Sequence, residues 1–177
     1  MKVVGFSGFS GSGKTSLVER LIPHMRLKGL RVSVVKHAHH RFDIDQVGKD
    51  TYRHREAGAF EVVVASNKRL ALMREFEQDS QLSVHQLIAE LDARVDWVMV
   101  EGFKEAALRK IEVWRAQSKQ AVRYPDDAFI VAIATDSPEQ LPQATLLPVL
   151  DLNDAAALAD WLICNENRFD YHGENFP

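Results

Sequence analysis

Apolar positions along the chain alternate between short continuous runs and stretches of helical spacing. Val3-Val4-Gly5-Phe6 is a brief apolar run that stops at a glycine-rich turn, after which Leu17, Val18, Leu21, Ile22 and Met25 recur at helical spacing. This predicts a strand, a loop and a helix. Pro23 lacks an N–H and its ring crowds the preceding turn, so it is expected to kink or shorten the helix; Gly29 is placed to end it. The β-branched stretch from Arg31 to Val35 supplies the next strand. Residues 1–36 therefore read as a βαβ unit whose first strand-to-helix turn lies where open α/β sheets bind ligands.

Residues 36–58 have a different texture, polar and without a period that would bury them fully, and read as a functional loop followed by a short helix ending at Gly58. Glu61 to Ala65 and Leu70 to Glu75 are β-type runs joined by Ser66-Asn67-Lys68-Arg69, the pattern of a hairpin. Ser83 and Gln86 form a capping box ahead of Val84, Leu87, Ile88 and Leu91 on one helical face. Trp97 to Gly102 is a buried strand ending in an acid, and Ile111 to Trp114 and Phe129 to Ala134 are further strands. Asn153 is placed to cap a last helix containing Leu158, Ala159, Leu162 and Ile163. The expected architecture is α/β: one domain over 1–164, a hairpin extension at about 61–75, and a flexible polar tail over 165–177.

Composition narrows the function classes without selecting one. Among 177 residues, 46% are hydrophobic and 27% charged, the balance of a globular protein rather than a disordered or membrane-embedded one. A net charge of −3 gives no general field for nucleic acid, so no nucleic-acid partner is expected. The longest apolar run, Ala128 to Ala134, is far short of the roughly 20 residues that span a bilayer. The lone Cys164 lies in an apolar stretch and is expected as a small core residue in a reducing compartment. The first strand begins at Lys2, leaving no room for a signal peptide, so a cytoplasmic location without membrane attachment is expected.

The chemistry concentrates at the first turn. Gly8-Phe9-Ser10-Gly11-Ser12-Gly13-Lys14-Thr15 is a complete Walker A sequence between strand and helix. A triphosphate needs several backbone N–H groups converging on it, and Gly8, Gly11 and Gly13 let the chain wrap that closely. Lys14 supplies a cation for the β- and γ-phosphates and Thr15 a hydroxyl for magnesium, while Ser10, Ser12 and Ser16 complete the nucleotide-binding segment. The bland alternative, a glycine-rich turn that only tightens a corner, requires four fixed positions to coincide by accident.

Glu101 ends an apolar strand where P-loop enzymes place an acid that reaches magnesium directly or through water. Alone it reads equally as a carboxylate leaving the sheet; beside a Walker loop the magnesium role is favoured. In His37-Ala38-His39-His40 with Asp43 and Asp45, imidazoles and carboxylates match no closed four-ligand metal pattern. Directly after the second strand, Asp43 and Asp45 are candidates to orient water or bind magnesium, and Lys49, Arg53 and Arg55 to meet a second anion. A solvated polar loop is the competing reading.

These residues resemble the molybdopterin-guanine dinucleotide biosynthesis protein B (MobB) family. The resemblance rests on the Walker loop together with Lys36-His37-Ala38-His39-His40, Phe42-Asp43-Ile44-Asp45, Gly48-Lys49-Asp50, Arg55-Glu56-Ala57-Gly58-Ala59, Val100-Glu101-Gly102-Phe103-Lys104 and Asp151-Leu152-Asn153-Asp154, in that order. It implies a P-loop NTPase fold, three layers around a mostly parallel, doubly wound sheet, dimerised partly through the hairpin. It also implies GTP and Mg2+ as ligands and weak GTP hydrolysis, with catalytic candidates Asp43, Asp45 and Glu101. His37 and Lys49 are then nucleotide- or cofactor-proximal. The implied role is an adaptor to the MobA-like enzyme that attaches GMP to molybdopterin, with molybdopterin itself a possible ligand. The guanine-reading sequence Asn-Lys-x-Asp is missing; Asp136, at the end of a late strand, is either the guanine reader or a turn residue before Pro138. Two alternatives stand beside the adaptor: a small-molecule kinase using Lys104 to Lys110 as a basic lid, and a nucleotide-gated interaction module without useful hydrolysis.

Overall fold

The computed structural model describes residues 1–38, 42–78 and 80–173. The chain divides into two compact units, residues 1–37 with 83–177 and residues 38–82.

The larger unit is built on six strands: β1 (Lys2–Ser7), β2 (Val32–Lys36), β5 (Trp97–Glu101), β6 (Lys110–Trp114), β7 (Ile130–Thr135) and β8 (Val149–Asp151). Their order is β2-β5-β1-β6-β7-β8, and each neighbouring pair is parallel. A parallel sheet is covered on both faces, so its strands read as continuous apolar runs rather than alternating ones. On one face Val4, Phe6, Trp97 and Met99 pack with Leu17, Leu21 and Met25 of α1 (Lys14–Leu27) and with Leu158 and Leu162 of α4 (Ala155–Cys164). On the other, Val3, Val98 and Val100 pack with Val84 and Ile88 of α3 (Val84–Ala89). The capping box of α3 forms as expected, Ser83 accepting from the Gln86 N–H and Gln86 from the Ser83 N–H.

Four expectations are corrected. Helix α1 is not shortened at Pro23 but continues to Leu27, because its buried face (Leu17, Leu21, Met25) carries both turns across the one backbone bond that proline removes. Asp154, not Asn153, caps α4, its carboxylate accepting from the Ala157 N–H. Cys164 is exposed at the end of α4 instead of lying in the core. The segment after it is not a free tail over 165–170. Glu166–Phe169 forms a 3-10 turn and Phe169 is 1% exposed, its ring centroid 5.6 Å from that of Trp97. Asp170 pairs with Lys2. Phe169→Ala is therefore expected to cost about 3–5 kcal/mol of stability. Equilibrium denaturation indistinguishable from wild type would show that the ring is not part of the core.

The smaller unit, 38–82, contains α2 (Asp50–Glu56) and the antiparallel pair β3 (Glu61–Ala65) and β4 (Leu70–Arg74), the expected hairpin with Val63 opposite Leu72.

Candidate functional site

The Walker loop joins the carboxyl end of β1 to α1. Gly8 has φ 138°, and a Cβ there would collide with the Val113 carbonyl oxygen and come 2.8 Å from Ser12 Oγ, so only glycine fits. Ser12 N–H donates to the Phe9 carbonyl at 3.2 Å, closing the turn. Gly13 caps α1, whose first N–H groups have no partner within the helix and form an anion-binding end. Lys14 Nζ donates to the carbonyls of Gly8 and Phe9, both at 2.8 Å. Burial lowers its pKa, opposed by the nearby Glu101 and reinforced by Lys36.

Strand β5 lies beside β1 and brings Glu101 level with Phe6. Thr15 Oγ1 donates to Glu101 Oε1 at 2.6 Å, and Lys36 Nζ lies 3.7 Å from the same oxygen. Glu101 is only 8% exposed. His37 is exposed at the end of β2; its N–H donates to the Glu101 carbonyl at 2.9 Å and its ring meets Phe103 edge-on. Gly102, at φ 99°, lets the chain turn there, since a Cβ would lie 3.0 Å from His37 Cβ. Beyond it, Lys110 Nζ is buried against Asp127 at 2.6 Å and also donates to the carbonyls of Lys104 and Ala106.

Hard oxygen donors suit magnesium, and Thr15 Oγ1 with Glu101 Oε1 form such a pair at the loop. Ser12 Oγ is buried without a hydrogen-bond partner among the described residues. The donor set and the glycine cradle fit a magnesium–triphosphate group.

Ser10 and Ser16 are exposed on the loop and at the start of α1. Asp43, Asp45 and Lys49 belong to the smaller unit. There Arg55 pairs with Asp43 and Asp45, each at 3.1 Å, and with Glu75 at 2.6 Å. Thr51 Oγ1 adds a bond to Asp45, and the pKa of each aspartate is lowered: by the Asp45 N–H and then Arg55 for Asp43, and by Thr51, Gln46 and Arg55 against desolvation for Asp45. Lys49 is exposed at the N-cap of α2. His39 and His40 lie outside the described residues.

Asp136 follows β7, and a cavity of about 320 Å³ opens beside it, lined by Thr135, Asp136, Pro138, Leu150, Asp151 and Asn153. Its Oδ1 accepts from Ser137 Oγ and its Oδ2 pairs with Arg115. Sequence reasoning passed over Arg115 and gave Lys36 no role of its own beyond the resemblance. The signal was present: each is a charged residue at or just past the carboxyl end of a parallel strand, the place that drew attention to Glu101.

A parallel sheet in this order, with a Walker loop after β1 and a buried acid ending the adjacent β5, defines a P-loop NTPase fold. Residues 3–136 match the family model described as molybdopterin guanine dinucleotide synthesis protein B, MobB. The chain is 37% identical to the molybdopterin-guanine dinucleotide biosynthesis adapter protein of Escherichia coli K12, covering 91% of each chain. It is 36% identical to the protein of the same name from Haemophilus influenzae, over 90% of this chain and 86% of that one. The crystal structure of a MobB homolog from Bacillus stearothermophilus superimposes with a TM-score of 0.68 at 26% identity, covering 94% of this chain and 99% of the other. The chain belongs to the MobB family.

Proposed function

We propose that this chain is a magnesium-dependent GTP-binding adaptor in molybdopterin-guanine dinucleotide biosynthesis, acting as a homodimer in the cytoplasm. The observation that carries the nucleotide half is the Thr15–Glu101 hydrogen bond of 2.6 Å beside Lys14. It pairs the hydroxyl and the acid that would hold magnesium, directly or through water, next to the cation that would hold phosphate. Bound magnesium would neutralise charge on the phosphate oxygens. Lys14 would exchange its two loop carbonyls for phosphate oxygens, and Glu101 would keep Thr15 oriented. Asp136 is the proposed base reader, a carboxylate able to accept from the N–H groups of a guanine edge. The proposed part of Asp43 and Asp45 in hydrolysis rests on sequence position, since both are engaged by Arg55 within their own unit.

The pathway assignment is supported by the names of relatives aligned over nine-tenths of the chain. It carries with it a molybdopterin guanylyltransferase as the proposed partner and molybdopterin as a possible ligand. Against the kinase reading, Lys110 is buried and committed to Asp127 and two carbonyls, which removes one of the basic residues a lid would use.

Dimerisation is supported by the hairpin face carrying Val63, Leu70 and Leu72, which are 57%, 68% and 43% exposed beside the Glu61–Arg74 ion pair. Two-stranded ribbons are marginal alone, and an apolar face on one invites cover. Wild-type protein is expected at dimer mass in sedimentation, Leu72→Asp at monomer mass. In a bacterium deleted for its own adapter of this family, the wild-type chain should restore the activity of an enzyme that uses molybdopterin-guanine dinucleotide. Soluble expression without restoration would refute the pathway assignment.

A further inference from the structure

We infer that Arg115 is a positioning residue that braces the base-reading acid against the phosphate loop, so that the loop's backbone sets the plane in which that acid meets a base. The inference rests on the reading of Asp136 as base reader given above.

The side chain of Arg115 leaves the carboxyl end of β6, the strand next to β1 on the side away from β5. Its backbone is fixed by the short turn that follows: Ser118 Oγ donates to the Arg115 carbonyl at 2.7 Å and Ser118 N–H at 3.1 Å. From there the guanidinium reaches in two directions. Its Nε donates to the Ser12 carbonyl at 3.2 Å, inside the Walker loop, and its Nη1 pairs with Asp136 Oδ2 at the end of β7. The planar group lies along the loop, with Nε and Nη2 each 3.4 Å from where a Cβ on Gly13 would stand, ordinary van der Waals contact. Gly13 is glycine for its own backbone, at φ 96°.

A guanidinium suits this task because its donors are fixed in one plane, so holding one end fixes the other. Ser137 Oγ holds the second oxygen of Asp136, and the two contacts together set the plane of that carboxylate. Four lone-pair sites leave it able to accept from a ligand as well. Its orientation matters for base choice, because the Watson–Crick edge of guanine offers two adjacent N–H donors that a correctly turned carboxylate accepts together, whereas adenine does not. The pair is partly exposed, with Arg115 at 33% and Asp136 at 19% side-chain exposure, so its value is geometric rather than a large contribution to stability. No Asn-Lys-x-Asp sequence is present, and the link from the loop to the base-reading acid is supplied here from β6.

The test compares wild type with Arg115→Ala, Arg115→Lys, Asp136→Asn and the Arg115→Ala/Asp136→Asn double variant. Affinities for GTP, ATP and inorganic triphosphate are measured with magnesium, alongside thermal unfolding. Arg115→Ala is expected to weaken GTP about tenfold and to lower the GTP-to-ATP preference as Asp136→Asn does, with the double variant no worse than the weaker single one. Inorganic triphosphate should change by less than about threefold and unfolding by little, and Arg115→Lys should recover part of the preference. Independent, multiplying losses in the double variant, or an unchanged GTP-to-ATP ratio in Arg115→Ala, would overturn the coupling while leaving the nucleotide site standing. Wild-type protein that binds inorganic triphosphate but does not distinguish GTP from ATP would instead overturn the base reading of Asp136, and the coupling with it.

Discussion

Lys14→Ala is expected to weaken GTP binding by at least about a hundredfold, roughly 3 kcal/mol at 1.4 kcal/mol per factor of ten. The size follows from what Lys14 supplies. It is the one side-chain cation of the Walker loop, and its ammonium is partly desolvated beside Glu101, where an ion contact is screened less than on the surface. In the free protein the ammonium is held by the Gly8 and Phe9 carbonyls, which preorganises it at the mouth of the cradle. Alanine leaves both carbonyls facing the triphosphate without the cation between them. The pH dependence carries a definite sign. Because burial lowers the Lys14 pKa and a bound triphosphate would raise it again, affinity should fall as the solution becomes alkaline and binding should take up protons there. Calorimetry in buffers of different ionisation enthalpy measures that uptake, and Lys14→Ala should abolish it.

Glu101→Gln is the second large effect, and it should appear in magnesium dependence before nucleotide affinity. The carboxylate accepts the Thr15 hydroxyl and faces Lys36, so the neutral amide keeps much of the shape and loses the charge that a divalent ion requires. The expected outcome is GTP affinity that no longer rises when magnesium is added, and hydrolysis reduced about a hundredfold or more. Lys14→Ala should weaken GTP with or without magnesium. Titrating each variant in the presence of magnesium and of a chelator separates the two. A Glu101→Gln protein with the full magnesium response of wild type would show that the acid serves only the Thr15 hydroxyl.

The parts of the site that were legible in the sequence are those whose chemistry depends on neighbours along the chain. The Walker loop is contiguous, each glycine has a reason to be glycine, and the apolar runs on either side declare a strand and a helix. Glu101 was legible one step further out, because a charged residue ending a buried strand is unusual enough to notice. The Thr15–Glu101 bond was not, since it depends on β5 inserting between β2 and β1, and nothing local to either residue specifies that order. Arg115 escaped for the same reason: the register that puts β6 against β1 is a long-range property, and an arginine after an apolar run also suits a plain surface turn.

The tail shows the opposite limit. Residues 165–170 are polar apart from Phe169, so composition argues for mobility; the one aromatic ring fills a space against Trp97 and Trp161 that only the assembled core creates. Strand β8 was missed because three residues, only partly apolar, carry no period that can be read. Asp43 and Asp45 were singled out by type and by position after β2, and their short-range partner Arg55 was counted among the cations for a second anion instead of as the group that engages them.

The central claim, a magnesium-dependent guanine-nucleotide site at the Walker loop, is tested most directly by calorimetric titration of the wild-type protein with GTP, with magnesium and with chelator, and with ATP as competitor. Binding of one GTP per chain, strengthened by magnesium, displaced weakly by ATP and lost in Lys14→Ala, is the result predicted. GTP that fails to bind in the presence of magnesium, or that binds Lys14→Ala as tightly as wild type, would contradict it.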